Sequence, residues 1–329
     1  MANRDIMKER LNFKPFEYPE LIKFKDAIRH SYWIHTEFTD YISKDVHQYK
    51  VNSSLQEREV LRRCLLGISQ VEVSVKTFWA DLFKAYPKPE IAATGMTFAE
   101  SEVRHEDAYS FLLEKLGLNS DFERIGEIPA LIDRVKYLKK HLEGAKSRDP
   151  KKFALTVLLF SVFIEHVSLF GVFLPLMSFK RYNRTFECVA NIVEATSKEE
   201  EIHGKFGLTL VNILKDEHPE WFDQEMYDNI RKACIKAEKA EQKVLDWVFE
   251  EGDLTFLTKE EVQFFMKKRF NNSLKSLGMD PEFEESPEVN MKFKWFEEKL
   301  LSAPNADFFN GRLTSYNKKS KTFNGGELF

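Results

Sequence analysis

Only three cysteines occur in 329 residues, Cys64, Cys188 and Cys234, far apart and forming no CxxC pair. That excludes a disulfide scaffold and a cysteine-ligated zinc site, and a reducing cytoplasm is the expected setting. Positive charge is not in surplus. With 49 Lys and Arg against 53 Asp and Glu, the formal net charge is −4, which leaves no electrostatic footprint for nucleic acid. Glycine and proline are sparse, at 13 and 11, so collagen-like and low-complexity classes are excluded. The phosphate-cradling GxGxxG and GxxxxGK[ST] loops are absent, as is the GxSxG nucleophile elbow. The first ten residues lack the apolar core of a signal peptide. What is abundant is apolar: 43% of residues are hydrophobic and 30 are Phe, ample for a large core.

One apolar stretch, residues 153–179, has the length of a membrane span. Glu165 and His166 sit at its middle, where charge in lipid is costly, and Gly171 and Pro175 interrupt it. A helix buried in protein is expected, with no membrane partner. Helix signals dominate the rest of the chain. Ser53 and Gln56 read as a capping box opening a helix from Glu57 to about Tyr86, ended by Pro87 and Pro89. A second helix runs from Glu90 to Leu116 and stops at Gly117; a third follows Pro129 to about Ala145. Asp149-Pro150 pairs an N-cap with proline at the first helical position and launches a helix over 151–179. Further helices are expected over 183–214, 222–251 and 258–277. Long helices joined by short polar turns predict an all-α, up-and-down bundle. The segment from Pro304 onward is rich in Asn, Gly, Ser and Lys and has no period, which predicts a helical domain over 1–302 and a flexible tail over 303–329.

Two ExxH motifs stand out, Glu102-Val-Arg-His105 and Glu200-Glu-Ile-His203. Positions i and i+3 share a helix face, so each motif aims a carboxylate and an imidazole at one point. Alone, such a motif is usually a solvated face. Context changes this, because Glu165 lies in the most apolar helix and Glu72 in another apolar run, Cys64–Trp79. A buried carboxylate is expensive unless paired or bound to metal. Two single-Glu helices and two ExxH helices make the ligand set of a ferritin-like, carboxylate-bridged dinuclear site. Oxygen-rich ligands with two imidazoles suit iron or manganese better than structural zinc. Tyr109, four residues after His105, lies on the same stripe, as a core residue or as a one-electron donor.

The segment TFAESEVRHEDAYSFLLEKLG, Thr97–Gly117, resembles the small, radical-generating subunit of class I ribonucleotide reductase, in which ExxH is followed four residues on by the radical tyrosine. The later ligand glutamate and second ExxH of that family are about 35 residues apart, as Glu165 and Glu200 are here (200 − 165 = 35). The resemblance spans about residues 20–275. It implies a ferritin-like bundle with two manganese or two iron ions per chain, manganese being placed ahead, activated by an oxygen-derived oxidant. It also implies a homodimer that passes an oxidising equivalent to a cysteine of a separate catalytic (alpha) subunit, which converts ribonucleotides to deoxyribonucleotides for DNA replication. Carried over by position, the ligands are Glu72, Glu102, His105, Glu165, Glu200 and His203. Trp33 begins the radical path, Glu199 stands where the family commonly has an aspartate linking that tryptophan to a metal-bound histidine, and Tyr316 is the relay in the tail, whose last residues, 325–329, dock on the catalytic subunit. Glu72 stands where many members have Asp. Leu169, Phe173 and Thr196 take the places of the pocket around the tyrosine, with Thr196 adding a hydroxyl there. Two other readings of the same bundle remain: an oxygen-activating oxidase or monooxygenase, which needs an apolar channel at the metals, and a ferritin-like storage protein.

Overall fold

The computed structural model describes residues 4–142 and 149–301. Among the described residues the helices that carry the argument are α1 Pro19–His30, α2 Leu55–Asp81, α3 Pro89–Leu116, α4 Pro129–Leu142, α5 Pro150–Asn183, α6 Glu187–Glu217, α7 Gln224–Val248, α8 Lys259–Ser276, α9 Pro287–Lys292 and α10 Lys294–Leu301, with shorter helices at Ile42–His47 and Asn119–Glu123 between them. No β-strand occurs among the described residues; Leu254 and Leu257 form an isolated bridge. The expected tail, with Tyr316 and the boundary at 302/303, lies outside the described residues, as does the expected end of α4 at Ala145.

Local chemistry sets the helix ends. The Ser54 hydroxyl accepts from the Glu57 N–H (3.2 Å) and Glu57 accepts from the Ser54 N–H (2.9 Å). The box is therefore one residue later than the Ser53/Gln56 pair expected from sequence, because Glu reaches the cap N–H as an ionised acceptor. Pro89 opens α3, and Gly117, at φ +80°, ends it in a left-handed turn that lets the Leu118 N–H donate to the Leu113 carbonyl (2.8 Å). Asp149 caps α5 through the Lys151 N–H (3.0 Å). The start of α6 has a cap from far away in sequence. Asp45, fully buried, accepts from the Glu187 N–H (2.9 Å) and the Val189 N–H (3.0 Å).

Four helices form the central bundle: α2 packs along α3, α5 along α6, α2 on α5 and α3 on α6. Helix α1 crosses α3 and α6, while α7 and α8 cover the outside of α5. The apolar stretch of α5 is core, 94% buried over its most hydrophobic window. It is not the uniform α-helix expected over 151–179: Phe160–Ser168 and Phe179–Asn183 are π-helical. Around Glu165 the bonds reach five residues back. Ser168 Oγ donates to the Phe163 carbonyl (3.0 Å) and the Leu169 N–H to the Ile164 carbonyl (3.5 Å). Helices α5 and α6 touch closely at Gly207, where a Cβ would fall 2.0 Å from Ser161 Cβ.

Candidate metal centre

Each central helix delivers its residues to one buried point. Glu72 comes from α2, Glu102 and His105 from α3, Glu165 from α5, and Glu200 and His203 from α6; every one is 2% exposed or less. The structure brings these six residues together. Donor atoms of Glu72, Glu102, His105 and Glu200 lie within 4.8 Å of one another, and so do those of Glu102, Glu165, Glu200 and His203. The two sets share Glu102 and Glu200. Such overlapping sets would suit two adjacent cations, each offered one imidazole and one carboxylate of its own and sharing the other two carboxylates.

The imidazoles are oriented from outside. His105 Nδ1 faces Glu102 (3.0 Å) and Glu200 (3.1 Å), while its Nε2 meets Glu199 Oε2 at 2.8 Å. His203 Nδ1 faces Glu102 (3.0 Å), Glu200 (3.2 Å) and Glu165 (3.6 Å), while its Nε2 meets Ser101 Oγ at 3.1 Å. Anchoring the outer ring nitrogen fixes the tautomer and aims the inner nitrogen. Sequence reasoning does not reach Ser101, because a serine beside Glu102 carries no periodic signal.

Charges here are poorly compensated by protein alone. Burial, then Glu102, pushes the Glu72 carboxyl well up; burial, then Glu102 and Glu165, does the same for Glu200. Burial also opposes ionisation of Glu102, but His203 and His105 outweigh it and hold that carboxyl well below its usual range. Burial alone would lower both imidazoles. Hydrogen bonds to Glu102, Glu199 and Glu200 instead raise His105 well above its ordinary value, and Glu102 and Glu165 bring His203 to about 9. Both oxygens of Glu72 and both of Glu165 are buried without a hydrogen-bond partner. Buried acceptors are rarely left so. With their protons displaced by bound metal, four carboxylates and two neutral imidazoles would match the charge of two divalent cations, so the donor set fits a dinuclear metal pair.

Tyr109 is 1% exposed, and burial, then Glu72, pushes its hydroxyl well up. That hydroxyl and the Thr196 hydroxyl are neighbours, yet neither makes a well-formed hydrogen bond. Leu169, Phe173 and Thr196, expected around the tyrosine, are all buried. A cavity of about 390 Å³ opens beside Glu72 and Tyr109, lined also by Val73, Leu113 and Phe122, with the Lys76–Glu106 ion pair among its lining residues.

Trp33 stacks on His105, with ring centroids 5.8 Å apart and planes 19° from parallel. Glu199 makes the expected link to His105 but not to Trp33: the buried Trp33 indole N–H has no hydrogen-bond partner among the described residues. Both Glu199 oxygens are engaged by Arg104, a residue inside the first ExxH that motif spacing does not single out.

The family model for the small chain of ribonucleotide reductase matches residues 10–291. The chain belongs to the ribonucleotide reductase small-chain family. It therefore acts as the small subunit of a ribonucleoside-diphosphate reductase, as the ExxH resemblance implied. Among relatives, a probable ribonucleoside-diphosphate reductase small subunit of invertebrate iridescent virus 3 is 24% identical over 96% of this chain and 87% of that protein. The ribonucleoside-diphosphate reductase subunit beta of Chlamydia pneumoniae is 23% identical over 90% of this chain and 88% of that protein. Solved structures share the small chain's fold. The ribonucleotide reductase R2 subunit of Clostridium botulinum has a TM-score of 0.77 at 17% identity, covering 86% of this chain and 89% of that one. The dimanganese(II)-NrdF of Streptococcus sanguinis has a TM-score of 0.69 at 18% identity, covering 86% and 96%.

Proposed function

We propose that the small chain holds two metal ions on Glu72, Glu102, His105, Glu165, Glu200 and His203, and that this pair stores the oxidising equivalent used by a cytoplasmic class I ribonucleotide reductase. The observation that carries the reading is the pair of overlapping donor sets sharing Glu102 and Glu200. Glu72, Glu102, His105 and Glu200 would hold one ion and Glu102, Glu165, Glu200 and His203 the other, with Glu102 and Glu200 common to both sets. Once bound, the ions supply a one-electron oxidant at the centre of the bundle. Glu199 and Ser101 hold the two imidazoles in their ligating tautomers. An aromatic wall, with Trp79 centred 5.6 Å and Phe98 4.2 Å from His203, shields the His203 side of the centre from bulk water.

Manganese is placed ahead of iron. A dimanganese structural relative supports that order, and so does Thr196, whose hydroxyl beside Tyr109 makes a poor host for a stored tyrosyl radical. Trp33, stacked on His105, is the exit toward the protein surface. The chain works as a homodimer with a catalytic subunit, which the tail over 303–329 engages through Tyr316 and its last residues. Truncation before Pro304 should abolish turnover with the catalytic subunit and leave metal content unchanged. Undiminished turnover by the truncated chain would contradict the docking assignment.

A further inference from the structure

Arg104 is the buried charge beside the centre that the ligand set does not explain. It immediately precedes His105 on α3, and only 5% of its side chain is exposed. A buried guanidinium is costly unless its donors are paired. Here Nη1 donates to the Trp33 carbonyl (3.0 Å) and to Glu199 Oε2 (3.3 Å), Nη2 to Glu199 Oε1 (3.2 Å), and Nε to Glu100 (3.1 Å). The guanidinium also lies 4.5 Å from the Tyr32 ring centroid and 5.8 Å from that of Trp33. This two-pronged grip takes both Glu199 oxygens, and His105 Nε2 shares one of them. The Trp33 indole N–H is left buried without an acceptor.

We propose that Arg104 is a positioning residue that pins Glu199 against His105 and withholds it from Trp33, so that Trp33 meets the metal centre through its ring stack on His105 instead of through a carboxylate. The proposal rests on Trp33 being the exit residue. One consequence concerns the proton. When Trp33 gives one electron to the oxidised centre, no group among the described residues accepts a hydrogen bond from its indole nitrogen. The indole therefore keeps its proton until an electron arrives from the catalytic subunit and restores it.

The test uses the full metal-free chain with nitrogen-15-labelled indoles. Its five tryptophans give five side-chain N–H resonances, and Trp33→Phe identifies one of them. In the unaltered chain the Trp33 resonance should sit upfield, where an indole N–H without an acceptor lies. Arg104→Gln should release Glu199 and move that resonance downfield as the carboxylate accepts the indole N–H. The shift should vanish when Glu199→Ala is added. If Arg104→Gln fails to fold, Arg104→Lys keeps the charge but loses the fork and should give a smaller downfield shift with the same dependence on Glu199. An unmoved Trp33 resonance in the folded variant, or a shift that survives removal of Glu199, overturns the proposal. Neither metal nor partner enters the measurement, so that result would leave the reading of Trp33 as the exit untouched.

Discussion

Ser101 has a modest side chain with a large expected effect. Its hydroxyl donates to the Phe98 carbonyl (2.7 Å), which leaves its lone pairs free to accept from His203 Nε2. Removing such an anchor lets the ring rotate and the tautomer exchange, and typically costs ~10–100-fold in metal affinity. Ser101→Ala is therefore expected to weaken binding at the Glu165/His203 position by that range, read by competition with a chelator, while the melting temperature of the metal-free protein changes little. An unchanged affinity would show that His203 is oriented by its aromatic neighbours alone. Side chains of this kind mark the limit of what the sequence makes legible. Glu72 and Glu165 are legible because a carboxylate in an apolar run needs a partner, and the two ExxH motifs because helical spacing is short-range. Ser101 and Arg104 stand within or beside the first motif, but their roles depend on α6 and on Trp33, which no local pattern brings into view.

Helix α6 carries three of the site's side chains, and its start depends on Asp45, more than 140 residues earlier. Burial raises the Asp45 carboxyl to about 6 from its ordinary 3.8, against the lowering effect of the backbone N–H groups it caps. Its folded pKa is above the unfolded one, so folding favours the protonated form. The contribution of this group to stability is then present below the unfolded value and lost as pH rises through about 6. Asp45→Asn cannot ionise, so the stability difference between variant and parent should move in the variant's favour as pH rises from about 4 to about 7. Denaturant titrations at several pH values check this; a pH-independent difference would contradict it. The contact between α5 and α6 is a second element-scale feature. A methyl group at Gly207 would meet Ser161, so Gly207→Ala should destabilise by about 1–3 kcal/mol in the same titration, and a neutral result would mean the helices can separate. The π-helical turns of α5 are invisible to sequence periodicity because apolar residues on every side of that helix give no period to reveal an inserted residue. The capping box falls one residue from its expected place because Glu57 is the better reciprocal acceptor and the Ser53 hydroxyl is spent on the Gln48 carbonyl (2.9 Å), a contact that no local pattern announces.

At the scale of the whole molecule, four helices place one carboxylate, imidazole or pair each around a centre too poor in hydrogen-bond donors to satisfy its own acids. All-α architecture and the helix count of the core are legible because long amphipathic segments and proline or glycine stops are local. The order of packing, α2 on α5 and α3 on α6, is not local: the ligand set requires only that four helices face one point, and which of them are neighbours comes from the tertiary contacts. That centre is the claim on which the rest depends. Its most direct test is the electron paramagnetic resonance spectrum of the metal-free chain titrated anaerobically with Mn(II). Two shared carboxylates predict uptake of two ions per chain and a signal of exchange-coupled manganese, with the isolated six-line pattern growing only after the second ion is bound. A six-line signal of uncoupled ions from the first addition onward, or saturation at one ion per chain, would contradict a dinuclear centre on these six residues.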